Sequence, residues 1–313
     1  MLRIASAPVA ALRRWAGFIK LSHTVFALPF AVASMAVAAR GDRGWPGWRK
    51  FLLILAAMFC ARTCAMSFNR IADAEFDRAN PRTAGRHLAT GAITTGSAWV
   101  VCLTGAAGLV AASWLLNDVC AALSPVALSV VCFYSLTKRF TDFSHVYLGL
   151  ALALGPIGAW LAVKGSFHFF PDGALTLENS ALLPVLLGVA VVFWLTGFDI
   201  IYAVQDYEFD RAHGLHSLVV RWGVKNALAA SFLSHMIMWL VLMVFGLLAR
   251  FRLAYYAGLV FILGCLLMEH WLARRRSLNW INQAFFRLNA VISVVFVVVT
   301  LTEIVFPFLQ WKR

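Results

Sequence analysis

The chain contains one heptapeptide twice, as Asp73-Ala74-Glu75-Phe76-Asp77-Arg78-Ala79 and as Asp206-Tyr207-Glu208-Phe209-Asp210-Arg211-Ala212. The copies start 133 positions apart and differ only at their second residue. Of the 14 acidic residues in the chain, 7 lie in these copies or just before the second one, at Asp199. Negative charge is therefore concentrated at two places in a chain of 313 residues whose net charge is +13.

The rest of the chain is apolar: 62% of its residues are hydrophobic and 13% are charged, whereas soluble domains carry about 25% charged residues. Apolar runs long enough to cross a bilayer lie near residues 22–39, 51–69, 97–116, 119–136, 145–163, 182–203, 227–248, 253–272 and 288–308. This pattern predicts an all-α integral membrane protein with about nine transmembrane helices in one bundle and a single membrane-embedded domain over residues 1–313. The third and fourth runs are separated only by Asn117-Asp118, which predicts a tight hairpin.

The basic residues predict the orientation in the membrane. Residues 1–20 carry Arg3, Arg13, Arg14 and Lys20 with apolar side chains between them, which predicts a short amphipathic interfacial helix. With a cytoplasmic N-terminus, 17 of the 27 Lys and Arg residues fall on the inner side and 9 on the outer side, which agrees with the positive-inside rule. The loop with Arg40, Arg43, Arg49 and Lys50 departs from the rule. In this orientation both acidic segments face the cytoplasm and can meet.

Each acidic segment predicts a column of oxygen ligands on one helix face. Asn69, Asp73 and Asp77 are four residues apart, so they project to one side of a helix. Asp206 and Asp210 repeat this spacing. Because clustered carboxylates are costly at membrane depth, we expect a cation to neutralise them. Hard divalent cations such as Mg²⁺ prefer these oxygen ligands and use substrate phosphates as well.

Basic residues follow both acidic segments and fill a third inner loop. Arg82 and Arg86 come after the first copy, and Tyr134 and Lys138 occupy the loop between residues 134 and 139. Guanidinium groups bind phosphate oxygens with two parallel hydrogen bonds. Carboxylates and cations around one opening predict a site for a polyanionic phosphate, most simply a diphosphate. The alternative is that these basic residues only anchor the topology.

The spacing of these residues resembles that of the UbiA superfamily of intramembrane aromatic prenyltransferases. The motifs that carry the resemblance are Asn69-x-x-x-Asp73-x-x-x-Asp77, Tyr134-x-x-x-Lys138 and Asp206-x-x-x-Asp210-x-x-x-Gly214. The first motif lacks the acid that directly follows the asparagine in the common form, because Arg70 stands there. The resemblance covers nearly the whole chain.

The resemblance implies a transfer of a prenyl group from a prenyl diphosphate, by way of an allylic cation, to an electron-rich aromatic ring. Two Mg²⁺ ions would bridge the diphosphate. The implied metal ligands are Asn69, Asp73, Asp77, Asp206 and Asp210. The implied phosphate ligands are Arg82, Arg86, Tyr134 and Lys138. Lys138 would also stabilise the leaving group, and Asp199 and Tyr202 would orient or deprotonate the phenol.

Several stretches are similar to the quinone-biosynthesis branch of the family, among them Asn80–Arg86 and Phe198–Asp206. This branch includes 4-hydroxybenzoate polyprenyltransferases of ubiquinone biosynthesis and relatives that prenylate 1,4-dihydroxy-6-naphthoate in the futalosine route to menaquinone. Both acceptors are hydroxylated aromatic acids. Arg62 lies inside the second apolar run, where an ionisable residue is usually functional or paired, and we expect it to bind the acceptor carboxylate. The bacterial inner membrane is the expected location.

A hypothesis of another class is a cation-coupled secondary transporter with repeated halves. It predicts carboxylates near the middle of the bilayer. The acidic segments instead follow the ends of apolar runs and lie beside basic loops, which favours the enzyme.

Overall fold

The computed structural model describes residues 6–20, 24–169, 180–274 and 278–306, and within them the chain forms helices and connections without a β-strand. The α-helices are α1 Ser6–Phe18, α2 Thr24–Ala38, α3 Trp48–Ala72, α4 Ala74–Ala79, α5 Thr95–Leu116, α6 Asp118–Phe133, α7 Ser144–Lys164, α8 Leu182–Ala203, α9 Tyr207–Ala212, α10 Leu218–Leu248, α11 Leu253–Arg274 and α12 Leu278–Val305. The predicted all-α class is confirmed. In lipid a helix satisfies its own backbone hydrogen bonds, which is why apolar spans fold this way.

Eight helices in the described ranges are long and apolar enough to cross a membrane, and they correspond to eight of the nine predicted spans. Large apolar side chains such as Val100, Leu103 and Trp114 on α5 are exposed on the outside of the bundle, as lipid-facing residues are. The remaining predicted span, 22–39, corresponds to α2, which has 15 residues. A crossing helix needs about 20 residues, so the count of nine stays a prediction, as does the cytoplasmic N-terminus.

The predicted hairpin after the third span is confirmed. Helix α5 ends at Leu116 and α6 begins at Asp118. The single residue between them, Asn117, has an extended backbone (φ −171°), and its side-chain oxygen accepts a hydrogen bond from the backbone N–H of Cys120. The Asn117 side chain therefore caps α6 and fixes the turn.

Helices that follow one another in the chain pack side by side from α5 to α8, and α8, α10, α11 and α12 continue the series. Helix α3 lies against α5, and α2 packs between α7 and α12. Helix α1 lies outside this series: its Phe18 and Ile19 pack against Leu88 and Ile93 of the connection after α4. This arrangement leaves the ends of α3 and α8 on the same side of the molecule as that connection.

Gly149 permits the close contact of α7 with α8. A Cβ atom at this position would lie 2.6 Å from the backbone oxygen of Val192. Small residues at such points let membrane helices approach each other closely.

We expect Gly149→Ala to lower the free energy of unfolding by about 1–3 kcal/mol, the usual cost of overpacking. Gly158→Ala in the same helix is the matched control, because a Cβ atom there meets nothing within 4 Å. The measurement is the thermal unfolding midpoint of the purified protein in detergent. Equal midpoints for the two variants would contradict the assigned α7–α8 contact.

Candidate functional site

The two copies of the heptapeptide have the same local structure. Each follows a long membrane helix and forms a six-residue helix, α4 after α3 and α9 after α8. Asp73 and Asp206 immediately precede these short helices, with similar backbone angles (φ −93°, ψ 8° and φ −102°, ψ 3°). The repeated sequence thus forms the same turn twice. In each copy the second Asp, four residues after the first, projects to the same side as the first.

Both copies line one cavity of about 170 Å³. Its lining includes the four aspartates at positions 73, 77, 206 and 210, together with Asn69, Tyr134, Lys138, Asp199 and Tyr202. The expectation that the two acidic segments meet is therefore confirmed. The segment that carries Tyr134 and Lys138 is a 3₁₀ helix, Tyr134–Arg139, which continues α6 toward the cavity.

Basic residues from other parts of the chain neutralise the second acidic copy. Arg82 donates hydrogen bonds to both carboxylate oxygens of Asp206, from Nε at 2.7 Å and from a terminal nitrogen. Asn80 donates a further hydrogen bond of 3.1 Å to Asp206. Lys138 donates to Asp210 at 3.0 Å. Since Asp206 and Asp210 are almost completely buried, these partners offset the cost of burying their charges.

In the first acidic copy, the two aspartates differ in how closely positive charges approach them. Arg86 forms a charge-assisted hydrogen bond with Asp77, and Arg70 lies 3.9 Å from it. Asp73 accepts a hydrogen bond of 2.8 Å from the amide of Asn69, and its nearest cation, Arg139, is 3.9 Å away. Burial, and then the charge of Asp77, raise the pKa of the Asp73 carboxyl to about 6. Asp73 is thus the aspartate of the two copies that most needs an added cation.

Arg70, which replaces an acid of the family motif, is itself buried beside Asp77. Its position 3.9 Å from that carboxylate provides a positive charge where the common motif would provide a negative one.

Tyr202 and Asp199 also line the cavity that holds the two aspartate pairs, the carboxylate cavity. Arg82 donates a hydrogen bond of 2.7 Å to the Tyr202 hydroxyl, and its guanidinium lies 5.0 Å from the centre of the tyrosine ring. Asp199 is hydrogen-bonded to His145, with 2.7 Å between Asp199 Oδ2 and His145 Nδ1. His145 is not among the site residues predicted from the sequence. Its position at the start of an apolar helix could have indicated a role, since polar groups there require a partner.

A second cavity, of about 510 Å³, adjoins the first and is basic. It shares Arg82, Arg86 and Tyr202 with the carboxylate cavity and adds Lys20, Arg70 and His87. No acidic side chain of the described residues lines it. Burial and the neighbouring guanidinium groups, Arg70 first, lower the pKa of Lys20 to about 7. The sequence alone indicates only that Lys20 is a basic residue of the N-terminal segment. The packing of α1 places Lys20 at the basic cavity.

Arg62 lines neither cavity. One terminal nitrogen donates a hydrogen bond of 2.9 Å to the backbone oxygen of Lys20. The Nε–H group is buried and has no hydrogen-bond partner among the described residues. The structure therefore leaves Arg62 next to Lys20 of the basic cavity, with its buried Nε–H unpaired among the described residues.

The oxygen donors of the carboxylate cavity fit a hard divalent cation. In the described part of the chain, no three His, Cys, Asp or Glu side chains stand close enough to hold one ion by themselves. Mg²⁺ sites normally combine one or two carboxylates with substrate phosphates and water. The aspartate pair of each copy is suited to that role, with Asn69 beside the first pair.

Comparison with known proteins agrees with this geometry. Residues 27–291 match the UbiA prenyltransferase family. The 4-hydroxybenzoate octaprenyltransferase of Pseudomonas aeruginosa is 31% identical over 248 residues, which are 78% of this chain and 76% of that protein. The protein of the same name from Xanthomonas campestris is 32% identical over 255 residues, 80% of this chain and 79% of its own.

Solved structures share the fold. The apo structure of a UbiA homolog from Aeropyrum pernix K1 has a TM-score of 0.78 and 29% identity, and the match covers 90% of this chain and 98% of that one. A UbiA homolog from Archaeoglobus fulgidus, solved with DMAPP and Mg²⁺, has a TM-score of 0.66 and 20% identity, over 93% of this chain and 99% of that one. This chain belongs to the UbiA prenyltransferase family, and it is an integral membrane enzyme that transfers prenyl groups.

Proposed function

We propose that the enzyme transfers a polyprenyl group from a prenyl diphosphate to a ring carbon of a hydroxylated aromatic carboxylic acid, in ubiquinone or menaquinone biosynthesis. The observation that carries the proposal is the meeting of both aspartate pairs in one cavity beside Arg82, Arg86 and Lys138. The relatives named 4-hydroxybenzoate octaprenyltransferase support the aromatic acid as acceptor.

In this proposal Asn69 and the four aspartates of the two copies hold two Mg²⁺ ions, as the resemblance implies. When bound, Mg²⁺ would stabilise the negative charge that the diphosphate gains as the allylic C–O bond breaks. The structure of the Archaeoglobus fulgidus homolog with DMAPP and Mg²⁺ supports the use of a divalent ion with a prenyl diphosphate.

The basic residues have two successive roles in the proposal. Without ligands, Arg82, Arg86 and Lys138 neutralise Asp206, Asp77 and Asp210. When the metal and diphosphate bind, these three side chains release the carboxylates and donate to phosphate oxygens instead, together with the hydroxyl of Tyr134. Metal and diphosphate should therefore bind cooperatively, because each frees the groups that the other needs.

The acceptor binds on the basic side of the cavity in this proposal. A carboxylate would find cationic donors there, among them Lys20. Arg62 does not line this cavity, and its Nε–H, buried next to Lys20, would reach the carboxylate only if the side chain moved. Asp199 and Tyr202 would orient the phenol or accept its proton. The ring carbon ortho to the hydroxyl is the nucleophile, since oxygen donates electron density to it. The alternative acceptor is 1,4-dihydroxy-6-naphthoate, which has the same functional groups.

A location in the bacterial inner membrane, with the site on the cytoplasmic side, agrees with the distribution of basic residues. The hypothesis of a cation-coupled transporter is not retained, because the aspartates of the two copies follow the ends of α3 and α8 and the family transfers prenyl groups.

We expect the purified protein in detergent to transfer label from a prenyl diphosphate to 4-hydroxybenzoate only when Mg²⁺ is present. The assay should run in parallel with 1,4-dihydroxy-6-naphthoate, and the ratio of kcat/KM values identifies the acceptor. Removal of the metal with EDTA should abolish transfer, and added Mg²⁺ should restore it. Lack of transfer to both acids would refute the proposed acceptor class.

We expect Asp73→Ala and Asp206→Ala each to lower kcat by about 100-fold or more, because several kcal/mol of charge stabilisation would be lost. Glu75→Gln and Glu208→Gln are matched controls, since these residues belong to the same heptapeptides but are exposed and line neither cavity. The controls should stay within about twofold of the wild type. Full activity of either Ala variant would disprove the metal-binding role of that aspartate.

We expect Arg62→Ala to raise the KM for the aromatic acid by about tenfold or more, since a charge-assisted hydrogen bond contributes about 1.5–3 kcal/mol, with little change in the KM for the prenyl diphosphate. Arg62→Lys should have a smaller effect because it keeps the charge. Steady-state kinetics with each substrate varied in turn provides both values. Equal changes in the two KM values would remove Arg62 from the acceptor site.

A further inference from the structure

Asp199 differs from the other aspartates of the cavity in its partner. The aspartates of the two heptapeptides have Lys or Arg partners, whereas the ion pair of Asp199 within the described residues is with His145. Asp199 lies seven residues before Asp206, two turns deeper along α8. Its side chain is 21% exposed and lines the carboxylate cavity. Asp199 is thus a carboxylate available to a ligand, and within the described residues it forms no ion pair with Lys or Arg.

The contacts of His145 define its tautomer. The ring is fully buried, and its Nδ1 lies 2.7 Å from Asp199 Oδ2. Its Nε2 has no hydrogen-bond partner among the described residues. Because a carboxylate oxygen accepts, Nδ1 carries a hydrogen and donates it to Asp199 Oδ2, and Oδ1 of Asp199 remains for another partner.

Two further polar groups at the same cavity lack partners. The hydroxyl oxygens of Ser135 and Ser144 are buried and form no hydrogen bond with the described residues, and both residues line the carboxylate cavity. Ser144 is the neighbour of His145 at the start of α7. Buried hydroxyls normally find a partner, so this edge of the cavity is suited to a ligand that carries a hydroxyl group.

We propose that His145 is the residue that positions Asp199 to take the phenol proton of the acceptor. This inference rests on the proposed function. The allylic C–O bond breaks and its electron pair leaves with the diphosphate. The ring carbon ortho to the hydroxyl then forms a C–C bond with the allylic carbon, while the O–H proton passes to Asp199 Oδ1. The ring C–H proton then passes to the diphosphate, which restores aromaticity and leaves with that proton, and the phenolate oxygen is reprotonated from Asp199.

His145 touches only Asp199 in this scheme, so it acts through that carboxylate and is not a catalytic residue. Without the Nδ1–H donor, the Asp199 carboxylate could rotate about its side-chain bonds and would not hold one oxygen toward the acceptor. General base catalysis contributes about 100-fold or more to the rate when the base is correctly placed.

The test compares His145→Leu with His145→Asn, assayed with Mg²⁺, geranyl diphosphate and each of the two aromatic acids. The Asn side chain keeps an N–H donor close to the position of Nδ1, whereas Leu removes it. We expect His145→Leu to lower kcat by about 100-fold and His145→Asn to recover most of this loss. The KM for geranyl diphosphate should stay within about twofold of the wild type, because the diphosphate site is elsewhere in the cavity.

Folding and donor binding are measured separately. Thermal unfolding in detergent, with and without Mg²⁺ and geranyl diphosphate, reports whether each variant folds and binds the donor. His270→Leu is the matched control: His270 is also buried and hydrogen-bonded, to His235 at 2.9 Å, but it lines neither cavity. We expect the control to retain its kcat even if its unfolding midpoint falls.

The outcomes distinguish a failure of the role of His145 from a failure of the proposed function. Wild-type kcat in His145→Leu would overturn the role of His145 alone. So would a loss of donor binding in His145→Leu, or equal inactivity of folded His145→Leu and His145→Asn, since the residue would then be structural. A wild-type enzyme that prenylates neither acid would refute the proposed function itself.

Discussion

A carboxylate buried at the end of a membrane helix needs a positive partner, and the pair formed by Arg82 and Asp206 illustrates how this chain provides one. Removing a charge from water costs several kcal/mol, and removing one member of a buried pair costs about 3–5 kcal/mol. The two hydrogen bonds from Arg82 to Asp206 join the connection after α4 to the end of α8. The same interaction thus links the connection that follows the first aspartate pair to the segment that carries the second.

This need for compensation explains why the site is assembled from distant parts of the chain. Each aspartate pair comes from one helix end, and the second pair takes its cations from distant parts of the chain: Arg82 reaches Asp206, and Lys138 reaches Asp210. Lys and Arg are also ligands for diphosphate oxygens. In the proposed function, the groups that neutralise the aspartates without substrate are therefore also the groups that bind the prenyl diphosphate.

The sequence predicted much of the fold and of the candidate site. Particular residues show why the remaining features could not be predicted. Apolar run lengths predicted eight span-length helices because a bilayer imposes a minimum length, whereas the described part of the first run forms α2, with 15 residues. The spacing of Asp73 and Asp77 predicted that both side chains face one cavity. This was possible because helix periodicity depends only on residues close together in the chain. The sequence did not identify Lys20 or His145, since each acquires its role from helices that are distant in the chain. Nor could it indicate that Arg62 would donate to the backbone of Lys20 rather than line a cavity.

The sequence by itself thus determined the helical membrane fold, the repeated turn that carries each aspartate pair, and the concentration of opposite charges near one face. These properties follow from composition and from periods of a few residues. Only the tertiary structure decided which charges pair. Arg82 and Asp206 are 124 residues apart, Lys138 and Asp210 are 72 apart, and His145 and Asp199 are 54 apart. Such partners depend on how the helices pack, because packing brings together side chains that no local pattern relates.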